Sequence, residues 1–417
     1  MPKPGVLLIA GSSERAYREY GLAQIAEHFP IVLINPTEPT WQLPYLTDHA
    51  VADTRDTDQL LAAARDLATH YRINGVLTWD EYAVLPAAEL TAALGLPGNT
   101  PAAVAACRDK ATTRRLLAHH RVPSARSLPA ETLPQAARAA EAIGYPVVLK
   151  PASHAGSIGV IRIDTPDRLP SGFAFAAGAA AGQGPEGTGV LVEEYLDGPE
   201  ISVECVTRYG ATTPVAVTRK RVGFAPYFEE IGHTVTADDP LVPKVAPIAT
   251  AALEALGIEH GVSHVEMRLT TDGPKIIEVN ARLGGDLIPH LVDLATGVQL
   301  PLAAAALACG EGHPLTPDRR NSAAIELLYP PISGTLVTCH ADPTLDADAA
   351  AWLDRLVWER EIGDDVTLPP DGDVDTARLG HLVVTAPTPD HCHQHVETAL
   401  AKLTIQVSPY PHHNLAA

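Results

Sequence analysis

Two alternating runs joined by a short turn constrain this chain more than any other feature. His264-Val-Glu266-Met-Arg-Leu-Thr270 and Lys275-Ile-Ile-Glu278-Val-Asn280 have the period of half-buried strands, and Thr271-Asp272-Gly273-Pro274 between them reads as a hairpin turn. Alternation puts Ile276, Glu278 and Asn280 on one strand face. If the loop is centred on Asp272, Glu266 stands opposite Glu278 on that face. A one-residue slip separates them, and the sequence leaves that register open. Two carboxylates and an amide carbonyl at short range are the hard oxygen donors that Mg²⁺ prefers, so Glu266, Glu278 and Asn280 are candidate metal ligands. Arg282 follows just past the strand, close enough to hold an anion beside such an ion. The plain alternative is an ordinary hairpin with a polar outer face.

Further segments precede these acids in a fixed order. They are Asp109-Lys110, Tyr145-Pro-Val-Val-Leu-Lys150-Pro, Ser153-His-Ala-Gly156-Ser157-Ile-Gly159, and Val190-Leu-Val-Glu193-Glu194-Tyr195-Leu196-Asp-Gly-Pro-Glu200. Glycines let backbone N–H groups approach phosphate oxygens, and serine hydroxyls add donors, so the loop 153–159 suits an anion; a plain hairpin loop has the same composition. The Walker pattern G-x-x-x-x-G-K-[ST] is absent. After Thr218-Arg-Lys220-Arg221 comes Glu230-Ile-Gly-His233, whose plain reading is a hairpin with a charged face.

In order and spacing these segments resemble the ATP-grasp superfamily, and most closely its carboxylate–amine ligases of the L-amino acid ligase type, which join two amino acids. The resemblance runs over nearly the whole chain. It implies a mixed α/β fold with a Rossmann-like pre-ATP-grasp domain at 1–108, an ATP-grasp domain at 109–310, and a C-terminal α+β domain at 311–417 packed on the ATP-grasp core. It implies ATP and two Mg²⁺ ions, with Mn²⁺ as a substitute. Lys110 and Lys150 are expected at the ATP phosphates beside Ser153, Gly156 and Ser157. Glu193, Glu194, Tyr195 and Leu196 are expected as the adenine strap, with Glu200 accepting the ribose hydroxyls. Glu230 is expected near the metal region, and His233 at the substrate carboxylate or phosphate. Arg282 is expected to stabilise the tetrahedral oxyanion. Gly285 lets the chain pass close to substrate. Asp286 either meets the substrate or caps a helix from Leu287 through Leu294.

The expected reaction joins a carboxylate to an amine through an acyl phosphate, releasing ADP and phosphate. Two rivals stand beside it. One is an ATP-grasp carboxylase of the biotin or purine type, although biotin carboxylases carry Gln-Val-Glu-His after the arginine where this chain has Leu-Gly-Gly-Asp. The other is a non-catalytic nucleotide-binding module.

The formal net charge of −20 argues against a nucleic-acid or anionic-membrane partner, so small-molecule substrates are expected. Five cysteines without paired spacing fit the cytoplasm and core positions. A monomer or homodimer is expected. Strands at Val6–Ala10, Ile31–Ile34 and Gly75–Thr78 alternate with helices at Ala16–Phe29 and Asp58–Tyr71, a parallel α/β pattern. Gly11-Ser12-Ser13 reads as a tight turn rather than a dinucleotide site, and Trp79-Asp80-Glu81 ends a strand where α/β ligands bind. His391, His393 and His395 offer an i, i+4 pair able to bind zinc, but no further ligand lies at metal spacing, so a solvated helix start is expected. His119-His120 and His412-His413 are read the same way.

Overall fold

The computed structural model describes residues 3–181, 189–345 and 349–410. The described chain forms two compact units. One comprises Met1–Leu128, Leu196–Arg219 and Thr236–Arg320; the other comprises Pro129–Tyr195, Lys220–Val235 and Asn321–Ala417. The blocks 1–108, 109–310 and 311–417 are divisions along the chain, and the compact units interleave them.

In the first unit four parallel strands lie in the order Asp48–Val51, Ile31–Asn35, Gly5–Ala10, Arg72–Leu77. Ile31–Asn35 is buried along its whole length, as a parallel strand covered on both faces must be. Helices Arg15–Ala26, Thr57–His70 and Val84–Ala93 alternate with the strands. Asp48–Val51 escaped the sequence reading because it is short, with no buried residue to mark an apolar face. The turn after the first strand is tied to its neighbour: the Ser12 N–H and hydroxyl both donate to Asn35 Oδ1, at 3.1 and 2.9 Å.

The same unit holds an antiparallel ladder of Gly273–Asn280, His260–Thr270 and Glu200–Arg208. Val203, Val265, Met267, Ile276 and Val279 share one core with Val245 and Leu253 of helix Val242–Ala255. The turn closes at Thr270 opposite Gly273, a register that by itself would put Glu266 opposite Ile277. A β-bulge inserts one residue between Ile276 and Glu278, and Glu266 then pairs with Glu278. The bulge also corrects the expected faces. Ile276 looks into the core with Val279, whereas Glu278 and Asn280 look the other way.

In the second unit Val190–Glu194, Val147–Pro151 and Ile161–Ile163 form an antiparallel group. Val147, Leu149, Val190 and Val192 pack against helices Leu133–Ile143 and Leu169–Ala180, leaving alternate residues on the opposite face. Residues 182–188, in the Ala-, Gly- and Pro-rich stretch 164–189 that reads as a helix followed by a surface loop, lie outside the described residues. Farther along, Ser322–Leu328 pairs with Gly380–Ala386, which pairs with Leu353–Trp358. Gly334–Ala341 pairs with Asp365–Val366 and Leu403–Pro409. Helix Pro389–Leu400 contributes Cys392, Val396 and Ala399 to the core.

The three histidines of that helix have separate partners. His391 meets the Thr388 hydroxyl at 2.8 Å, His393 meets Glu397 at 3.2 Å, and His395 stacks on Trp352 with ring centroids 4.4 Å apart. His119 and His120 pack edge to face, and His412-His413 lies outside the described residues. All five cysteines are free thiols; Cys107, Cys205 and Cys392 are buried, whereas Cys309 and Cys339 are partly exposed. Among the described residues no single helix is long and apolar enough to cross a membrane.

Candidate active site

Polar side chains gather on the ladder face opposite the core. Register places Glu200 beside Arg268, Ser202 beside Glu266, Glu204 beside His264, and His264 beside Asn280. Strand alternation therefore brings the candidate metal ligands Glu266, Glu278 and Asn280 together on that face. The Lys110 ammonium reaches Glu278 at 3.1 Å from the start of helix Lys110–His119, whose Asp109 cap accepts the Ala111 N–H at 3.1 Å. Glu200, expected at a ribose, pairs with Arg268 at 2.7 Å. Leu196 is buried in this unit.

Arg282 leaves the ladder end and pairs through Nε with Glu81, while Nη1 donates to the Leu283 carbonyl at 2.8 Å. Glu81 also accepts Arg108 at 2.6 Å. Burial alone would raise the Glu81 pKa, but Arg282 and Arg108 hold it below the usual carboxylate range. Burial likewise opposes the charge on Arg282, and Glu81 more than restores it. Thus Arg282 is a largely buried, ionised, oriented cation.

Past Arg282 the cap reading of Asp286 fails. The helix runs Ile288–Thr296, and its N-cap is Leu287, which has no side-chain oxygen. Asp286 and Leu287 have φ of 45° and 60°, so two non-glycine residues in succession are left-handed. Gly285 has nothing within 4 Å of where a Cβ would stand.

The second unit holds its own cluster. Lys150 and Glu193 form a buried pair at 2.6 Å on the face opposite the core. In the following loop Ser153 is buried, and Gly156, Ser157 and Gly159 all have positive φ. A Cβ on Gly159 would lie 2.5 Å from Ala179, so this position requires glycine. The Ser157 hydroxyl donates to the Phe228 carbonyl at 3.1 Å. Glu194 ends its strand half-buried, and the next residue, Tyr195, lies under the Arg162 guanidinium, 4.2 Å from its ring centroid. Glu230 pairs with Lys220 and stands 3.4 Å from His233.

Sequence reading assigned no role to Glu204, His264, Arg108 or Lys220. His264 carried a usable signal, since its i, i+2 spacing to Glu266 puts both on one strand face. The link from Glu81 to Arg282 spans 201 positions and left none.

Two family models match: an ATP-grasp domain at residues 143–290 and an ATP-grasp N-terminal domain at residues 31–98. The chain is 29% identical to human carnosine synthase 1 over 71% of its own length and 38% of that protein. It is 28% identical to alanine–anticapsin ligase of Bacillus subtilis strain 168 over 58% of its own length and 55% of that protein. It therefore spans less than two thirds of either relative. An L-amino acid ligase structure from Bacillus licheniformis superposes with a TM-score of 0.82 at 21% identity, covering 98% of this chain and 100% of that one, which establishes the shared fold.

Proposed function

We propose that this chain, which belongs to the ATP-grasp superfamily, is an ATP-dependent carboxylate–amine ligase that forms an amide or peptide bond. The observation that carries this reading is Glu266 set opposite Glu278, with Lys110 on Glu278 and the largely buried Arg282 at the strand end. The relatives named as ligases or synthases support it. Free thiols fit a cytoplasmic enzyme, working as a monomer or homodimer on small molecules. The three-block division remains part of the proposal, with one family model inside each of the first two blocks.

Glu266, Glu278 and Asn280 offer the hard oxygen donor set that fits Mg²⁺, as two ions, or Mn²⁺. Such ions, when bound, neutralise charge on the ATP phosphates. Lys110 and Lys150 supply fixed cations to those phosphates, and Ser153, Gly156 and Ser157 line their loop. The strap from Glu193 through Glu194 and Tyr195 to Leu196 takes adenine, and Glu200 the ribose. A substrate carboxylate oxygen attacks the γ-phosphorus, the bond to ADP breaks, and an acyl phosphate forms. The amine nitrogen of the second substrate then attacks the acyl carbon. Arg282 stabilises the tetrahedral oxyanion, and phosphate leaves. Glu230 and His233 contact the substrate end, with Gly285 and Asp286 beside the amine.

The test is ADP release with and without paired amino acids. Hydroxylamine should replace the amine and yield a hydroxamate. Failure to trap any with the best substrate pair counts against the acyl phosphate, and release that depends on bicarbonate favours the carboxylase reading. Lys150→Ala is expected to weaken ATP binding by about 2 kcal/mol, the scale of one charge-assisted hydrogen bond, measured by calorimetry. Its melting temperature should fall as well, since the buried Glu193 loses its Lys150 partner. Wild-type nucleotide affinity would remove Lys150 from the phosphate site.

A further inference from the structure

Glu204 has no part in the chemistry above, yet its carboxylate is completely buried. Its oxygens accept the Ser202 hydroxyl at 2.7 Å and the Thr218 hydroxyl at 3.4 Å. They also face His264 Nδ1 at 2.8 and 3.1 Å. His264 is 3% exposed, and its Nε2 faces Glu266 Oε1 at 3.0 Å. Both ring nitrogens thus point at carboxylate oxygens, each an arrangement that needs an N–H. The loop after Arg282 closes on this pair. A Cβ at Gly284 would lie 3.0 Å from His264 Nδ1 and 3.3 Å from Glu204 Oε2, so only glycine lets the backbone pass without displacing them.

A purely structural role explains this poorly. One fully buried and one partly buried carboxylate around a single imidazole cost desolvation that well-packed apolar residues of the same volume would avoid. What the arrangement supplies is direction. Glu204 sits on Glu200–Arg208, an interior strand of the larger sheet, locked by two hydroxyls, and it fixes the plane of the imidazole. The imidazole in turn fixes one oxygen of Glu266 and leaves the other to point elsewhere.

We infer that Glu204 and His264 are positioning residues, a two-step brace that holds Glu266 in the orientation from which it takes its metal ion. This inference rests on the metal reading of Glu266 and Glu278. Partners of metal ligands commonly set ligand orientation and affinity. Here the brace reaches the ligand from the buried centre of the sheet, and Glu204 itself never touches substrate or metal.

The test uses Mn²⁺ with ADP, followed by the loss of the free-ion paramagnetic resonance signal. In His264→Asn the amide nitrogen replaces Nδ1, keeps Glu204 and cannot reach Glu266. In His264→Gln the longer side chain carries its nitrogen toward the place of Nε2. The Asn variant should bind Mn²⁺ about 10–100-fold more weakly, the usual effect of losing such a partner. The Gln variant should recover most of that loss, and metal-free ADP affinity should stay level in all three proteins. Equal Mn²⁺ affinity in wild type and His264→Asn overturns the brace, and so do equal losses in the Asn and Gln variants. If His264→Asn does not fold, Glu204→Gln decides, because it preserves volume and both hydroxyl contacts. Weakened Mn²⁺ binding there supports the brace, and undiminished binding overturns it. A wild-type protein that binds no Mn²⁺ overturns the metal reading together with the brace, whereas intact binding in the variants overturns the brace alone.

Discussion

Glu278→Gln is expected to lower phosphate release by more than about 100-fold, because losing a mere partner of a metal ligand already costs about 10–100-fold. The fold should survive. Glutamine has the same volume, and its carbonyl still accepts the Lys110 ammonium that stands 3.1 Å from Glu278. What disappears is the negative charge shared with Glu266 across the strand pair. A melting temperature close to wild type together with lost turnover is the expected pair of results. Unchanged phosphate release by the folded variant would remove Glu278 from the metal site.

Arg282→Lys should separate the two half-reactions. Lysine keeps the charge but lacks the planar fork that spans Glu81 and the Leu283 carbonyl, so the cation loses its direction. If Arg282 acts on the tetrahedral oxyanion, phosphoryl transfer from ATP should proceed, with ADP appearing in a first-turnover burst. Amide product should fall about 10²–10³-fold, the range for losing one oxyanion donor. Rapid quench of ADP beside mass spectrometry of the product reads both. Equal losses in the two would place Arg282 at phosphoryl transfer instead.

Strand and helix positions were legible because burial follows simple periods. Ile31–Asn35 is uniformly apolar until its last residue, and Val265 and Val279 alternate with polar neighbours. Glu266 opposite Glu278 was legible as one of two registers. The choice between them lay in the bulge, and Ile276 and Ile277 are the same residue type, so nothing in the sequence marks which is the extra one. Of the two readings of Asp286, substrate contact or helix cap, the cap fails for a different reason. Propensity favours Asp at a helix start, but the chain leaves Gly284-Gly285 through two left-handed residues and begins the helix one position later. The pairs of Glu81 with Arg108 and Arg282 were hidden because ion pairs between distant segments have no local signature.

The bulge separates what the hairpin needs to fold from what it needs to work. With Ile277 deleted, Met267 would still face Ile276, Glu266 would still face Glu278, and strict alternation would carry Val279 back into the core. The ladder would be more regular for the loss. Absent would be the carbonyl of residue 277 that accepts the Arg114 guanidinium, and the local bend that an extra residue forces on the strand end carrying Glu278 and Asn280. A single-codon deletion therefore spares every feature by which the hairpin is recognised, from its turn to its paired acids. Without that residue the hairpin would keep its turn and its paired acids, yet carry those acids on a straighter strand.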